Sequence, residues 1–92
     1  MTNTKLPYNQ DYHLDYRFLK LVRIQRNLTL KNMSEYMGVD VPTLSRLERQ
    51  ELQWTPLYAS RFKDACSRIR LSNMEVASLR RVIELREARG LK

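Results

Sequence analysis

The stretch from Leu28 to Glu51, LTLKNMSEYMGVDVPTLSRLERQE, constrains the chain more than any other. Thr29 and Asp40 can each cap a helix, because their side-chain oxygens accept from the backbone N–H groups left free in a first turn. Between these caps stands Gly38, placed where a helix C-terminus needs a left-handed residue that glycine adopts without a Cβ penalty. Met33, Met37, Val39, Leu44 and Leu47 are spaced to meet in one small core. The pattern predicts two short helices, over about 30–37 and 41–49, joined by one tight turn. That is a helix-turn-helix.

The flanking sequence supplies the rest of a helical domain. Asp15 opens a first helix running to about residue 27, with Phe18, Leu19 and Val22 as its inward stripe. Leu21 and Ile24 fall to the side, where a further element could cover them. Thr55-Pro56 marks a fourth helix, threonine as cap and proline at the first helical position, where its missing N–H costs nothing. Its core face is Tyr58, Phe62, Ala65, Cys66 and Ile69. Ser72 and Glu75 form a capping box for a fifth helix over about 73–89, ending at Gly90. This last helix carries Val76, Leu79, Val82 and Ile83 on one stripe, and is long enough to act either as a lid on the bundle or as a dimer contact. Residues 1–14 show no sustained period and read as an N-terminal arm, 15–71 as the domain proper and 72–92 as the C-terminal helix.

The chain has 92 residues, 42% of them hydrophobic, with two glycines and three prolines, which suits one all-α domain. Its formal net charge is +7, from 17 Lys+Arg against 10 Asp+Glu, a balance that favours polyanionic partners. Between Tyr16 and Ser34 stand Arg17, Lys20, Arg23, Arg26 and Lys31 with no acid among them, so the first helix is expected to contribute an unbroken positive surface. Cys66 is the single cysteine and reads as a small buried filler. His13 has no metal-ligand partner at a useful spacing, and no metal or cofactor is expected. No apolar run is long enough for a membrane span, and a signal-peptide core is lacking, so a cytoplasmic protein with no membrane partner is expected. Nothing supplies a glycine-rich phosphate loop or a catalytic constellation, which leaves an enzyme the weakest reading.

The residues resemble the Cro and phage-repressor family of helix-turn-helix regulators, often called XRE-type. The marks that carry the likeness are Arg23-Ile-Gln, Leu28-Thr29, Gly38-Val39 and Leu44-Ser-Arg-Leu-Glu-Arg49, over about residues 18–69. The resemblance implies a lambda-repressor-like, compact five-helix bundle. It also implies an ion pair between Arg23 and Glu48 that ties the first helix to the end of the third. The chain departs from the family at Leu30, where glutamine is common, at Ser34, at Pro42 in the first turn of the third helix, and at Gln50-Glu51, where a glycine usually follows that helix.

A helix-turn-helix lays its second helix in the major groove of double-stranded DNA, with the early residues toward base edges. Those would be Val41, Pro42, Thr43 and Arg46. Arginine can donate two hydrogen bonds to guanine, so Arg46 is the expected main base reader. Thr29 and Lys31 at the start of the second helix, and Arg49, Gln50 and the Trp54–Thr55 loop after the third, are the expected phosphate contacts. From Glu35 to Glu51, however, the acids Glu35, Asp40, Glu48 and Glu51 outnumber Arg46 and Arg49. Two readings therefore stand: a bacterial or phage transcriptional regulator, aided by a homodimer through helix 73–89, or a protein-interaction module such as an antirepressor or adaptor that keeps the fold and binds DNA weakly.

Overall fold

A computed structural model describes residues 14–90 of the chain. Residues 1–13 of the expected arm at 1–14, His13 among them, lie outside the described residues. Five helices follow one another: α1 (Tyr16–Gln25), α2 (Leu30–Met37), α3 (Val41–Glu48), α4 (Pro56–Arg68) and α5 (Asn73–Ala88). The described residues form an all-α bundle around a single core. Each helix starts on a side-chain cap: Asp15, Thr29, Asp40, Thr55 and Ser72 all accept from a backbone N–H of the first turn. Ser72 and Glu75 form a reciprocal capping box, and Thr29 makes a second one with Asn32.

The helix ends are equally regular, and the sequence does not announce them. In α1, α3 and α4 the residue after the C-cap is left-handed although it is not glycine: Asn27 (φ 56°), Gln50 (φ 60°) and Arg70 (φ 58°). Each carries the paired backbone bonds that close a helix end; in α1, for instance, Asn27 N–H donates to Ile24 C=O and Leu28 N–H to Arg23 C=O. The next residue is apolar after α1, α2 and α4, and Leu28, Val39 and Leu71 pack against the core. After α3 that place is taken by Glu51.

Phe18, Leu19, Val22, Met33, Met37, Leu44, Leu47, Phe62, Ala65 and Cys66 fill the centre, joined by Ile69, Val76, Leu79 and Ile83. Val39, Tyr58 and Trp54 are half-buried at its margin, Trp54 edge-on to Phe62 with ring centroids 5.8 Å apart. Helices α2, α3 and α4 pack on one another around α2, and α1 joins α3 to α5. Ile24 remains 53% exposed; no described element covers it.

Helix α5 runs antiparallel to α1 and is clamped to it at both ends. Arg17 near the start of α1 donates to Glu87 at 2.8 Å, and Arg26 after its end donates to Glu75 at 2.8 Å. Arg26 also donates to the carbonyls of Ile69 (2.7 Å) and Arg70 (3.0 Å), so one guanidinium gathers the ends of α1 and α4 and the start of α5. Between the clamps, Arg80 lies over the Phe18 ring, 5.7 Å from its centroid.

These contacts correct the expectation of an unbroken positive surface on α1. Arg17, Arg23 and Arg26 are held by Asp15 and Glu87, by Glu48 and by Glu75, carboxylates most of which lie far away in sequence. Of the five cations in that run, Lys20 and Lys31 are exposed and have no carboxylate partner among the described residues.

Candidate nucleic-acid interface

Two supports fix α3 against the bundle. Leu44 and Leu47 are buried on its inner side. At its end, Arg23 and Glu48 form a two-pronged ion pair, Nε to Oε2 at 2.6 Å and Nη2 to Oε1 at 3.0 Å. Arg23 Nη1 donates to the Leu28 carbonyl at 3.0 Å, so the same side chain also ties down the α1–α2 connection. The Arg23 side chain is 16% exposed and that of Glu48 7%, placing the pair at the edge of the core rather than in solvent.

Gly38 sets the angle between α2 and α3. Its φ is +70°, and an added Cβ would stand 2.5 Å from Arg61 Nη1. That guanidinium reaches from α4 to donate to the Gly38 carbonyl at 3.5 Å, a cation placed at the C-terminal end of α2 where the helix dipole favours it. Backbone shape asks for glycine here, whereas the mobile end of Arg61 could swing aside from a Cβ.

With the inner side so fixed, helical geometry decides what α3 presents. Leu44 and Leu47 point in, and Pro42, Ser45, Arg46 and Arg49 share the opposite face at i, i+3, i+4 and i+7. Pro42, Arg46 and Arg49 are exposed and Ser45 is half-buried. Arg46 makes no side-chain hydrogen bond or ion pair among the described residues, while its charge acts on Asp40 and Glu51.

The remaining expected site residues stand as follows. Val41 and Thr43 are half-buried at the two margins of the presented face. Thr43 is committed to the cap: its backbone N–H donates to Asp40 Oδ1 at 3.0 Å. Its side chain, followed by that N–H, holds the Asp40 carboxyl below the usual carboxylate range. Thr29 and Lys31 are exposed at the start of α2; the Thr29 hydroxyl accepts from Asn32 N–H and keeps its own proton to donate. Gln50 is exposed in the left-handed turn after α3. Arg49 is exposed, is paired with Glu51 and donates to the Ser45 hydroxyl. The Trp54–Thr55 loop is turned toward the bundle, Trp54 onto Phe62 and Thr55 into the α4 cap.

Ser45 was not among the residues expected to read bases. Its signal is the spacing from Leu44 and Leu47: once those are inward, the residue next to Leu44 and one turn from Arg49 faces out.

Among the described residues no cluster of His, Cys, Asp and Glu could hold a metal ion, and no helix is long and apolar enough to cross a membrane. Cys66 is buried, and burial pushes its thiol up to about 12.

Residues 19–53, which span all but the first turn of α1, then α2, α3 and the following loop, match the family described as "Helix-turn-helix". This segment is a helix-turn-helix domain of the Cro and repressor type. The family to which this segment is similar consists of DNA-binding regulatory domains rather than, as a rule, enzymes. Neither the curated proteins nor the solved structures contain a match to the chain.

Proposed function

We propose that this protein is a sequence-specific transcriptional regulator of bacterial or phage type, acting in the cytoplasm by laying α3 in the major groove of an operator. The observation that carries the reading is the outward strip Pro42, Ser45, Arg46 and Arg49. It lies on a short helix held from behind by Leu44, Leu47 and the Arg23–Glu48 pair. Arg46 is the main base reader, since an unpaired guanidinium on that strip can meet guanine O6 and N7 together. Val41 and Pro42 offer apolar surface suited to a thymine methyl. Thr43 brings its side chain to the margin of that strip while its backbone N–H serves the Asp40 cap. Thr29 and Lys31 grip a phosphate at the start of α2, where unbonded N–H groups and the helix dipole add to the lysine charge. Gln50 faces the backbone beyond α3.

A second reading, an interaction module such as an antirepressor or adaptor, is favoured by one observation. Arg17, Arg23, Arg26 and Arg49 are all engaged by carboxylates, which leaves the helix-turn-helix itself with little unpaired positive charge. The regulator reading answers this through pairing of subunits. Helix α5 turns Met74 (82% exposed) and Leu85 (48% exposed) away from the bundle, and a homodimer through this face would place two α3 helices on half-sites about one helical turn apart.

Fluorescence anisotropy with random duplex at low and moderate salt separates the readings. A DNA-binding regulator loses affinity steeply with salt because it displaces condensed counterions. A protein-interaction module shows negligible affinity at both, and that result would overturn the proposal. Selection of bound fragments from random duplex then gives the operator, and Arg46→Ala should relax preference at one position of it.

A further inference from the structure

We propose that Glu51 is a positioning residue for DNA recognition: it holds Arg49 along the reading face of α3, withholding that charge from phosphates and aiming it beside Arg46. The inference rests on the regulator reading above. Glu51 sits where the ends of α1, α2 and α4 each place an apolar residue on the core, yet here the side chain is a carboxylate, 54% exposed. Its backbone is fixed, because Glu51 N–H donates to the Arg46 carbonyl at 2.8 Å across the left-handed Gln50.

From this anchor the carboxylate takes Arg49 with both oxygens, Nε to Oε2 at 3.0 Å and Nη2 to Oε1 at 3.0 Å. The remaining Arg49 nitrogen, Nη1, donates to the Ser45 hydroxyl one turn back on the same strip. Hydrogen bonding to Arg49, and the nearby charge of Arg46, keep the Glu51 carboxyl below its ordinary range. The guanidinium is thus laid over the outer surface of α3 instead of reaching sideways to a backbone.

Two consequences follow for a duplex. A phosphate seeking Arg49 must displace a two-pronged carboxylate, which lowers affinity for arbitrary sequence. A base edge approaching along α3 meets Arg46 and Arg49 side by side, with their orientation already set. A partner that merely fills the groove gains nothing from this arrangement, whereas a matched site does. Glu51 therefore raises the ratio of specific to non-specific binding, chiefly by lowering affinity for arbitrary sequence while keeping the two arginines oriented for a matched site.

The test compares Glu51→Gln with Glu84→Gln, which removes the same charge from exposed α5 far along the chain. Anisotropy is read with the selected operator and with random duplex over a range of salt. Glu51→Gln should bind random duplex several-fold more tightly, steepen the salt slope by about 0.9 as Arg49 gains a phosphate, and cut operator discrimination about tenfold. Glu84→Gln should leave slope and discrimination as in wild type. If the two variants behave alike, or if Glu51→Gln keeps full discrimination, the positioning role is overturned while the regulator reading survives. If wild type itself ignores duplex, both fall together. Thermal unfolding should show Glu51→Gln folded near the wild-type midpoint, since an exposed pair contributes little to stability.

Discussion

Replacing Glu48 with alanine should be among the most damaging single changes in the chain. In the native fold the Arg23 guanidinium has three protein acceptors, the two Glu48 oxygens and the Leu28 carbonyl. Glu48→Ala leaves one, with the cation still mostly shielded from water. Breaking a fully buried pair costs about 3–5 kcal/mol, and an exposed one about 0–1 kcal/mol. With Arg23 at 16% exposure and Glu48 at 7%, the site lies nearer the buried limit. The expected loss is about 2–4 kcal/mol after allowing for partial hydration of Arg23. A domain of this size has about 5–14 kcal/mol in total, and each kcal/mol moves its midpoint by about 4–8 °C.

The measurement is thermal and urea unfolding followed by far-UV circular dichroism, with the urea slope unchanged if the variant still unfolds in one step. The companion variant Arg23→Met/Glu48→Leu removes both charges together and keeps apolar volume. It should recover to within about 1 kcal/mol of wild type, because the damage in the single variant comes from an orphaned cation. Two results would refute the reasoning: Glu48→Ala within about 0.5 kcal/mol of wild type, the scatter of an ordinary surface change, or a double variant as unstable as the single one.

Glu75 should give the bundle an acid-sensitive joint. Hydrogen bonding from Arg26, then from Ser72 N–H, lowers its carboxyl from 4.5 to about 2. Its contribution is therefore complete above the ordinary carboxylate value and lost as pH falls through about 2. Glu75→Gln should be less stable by about 1–2 kcal/mol at neutral pH, and that gap should close in acid; a gap independent of pH would remove the clamp. Gln50→Gly should raise the unfolding midpoint, since a non-glycine residue in the left-handed region costs about 1 kcal/mol; an unchanged midpoint means the turn is not strained. Gly38→Ala should act oppositely, lowering stability by about 1–2 kcal/mol because a Cβ is disfavoured at φ +70°, and a neutral effect on stability would contradict the geometry. Cys66 should resist thiol reagents at mildly alkaline pH until the protein unfolds, and rapid labelling of the native state would show that the core opens.

The order of helices was legible because each start depends on neighbours in the chain. Thr29, Asp40, Thr55 and Ser72 each bond a backbone N–H only a few residues ahead, so their meaning survives without a fold. The inward stripes were legible for the same reason: Phe18, Leu19 and Val22, or Leu44 and Leu47, repeat at the helical period. The helix ends were not. Asn27 and Arg70 turn left-handed as Leu28 and Leu71 return to the core, Gln50 does so ahead of the exposed Glu51, and none has glycine's freedom to advertise the fact. Nor could spacing show which cations are consumed. Arg17 and Glu87 are 70 residues apart and Arg26 and Glu75 are 49, so only the antiparallel packing of α1 and α5 brings them together.

That packing changes what the net charge means. A formal +7 suggests a surface steered toward any polyanion. Yet the arginines of α1 serve mainly to join helices, each satisfied by a carboxylate or by the carbonyls at a helix end. Within the helix-turn-helix, Lys31 and Arg46 lack a carboxylate partner among the described residues, and Glu51 occupies Arg49. A surface with so little loose charge gains little from phosphates as such, so under the proposed regulator reading its affinity would come from the fit of Ser45, Arg46 and Arg49 to particular base edges. On that reading weak general attraction and oriented readers belong together, because Glu51, which subtracts from the first by pairing Arg49, would also supply the second.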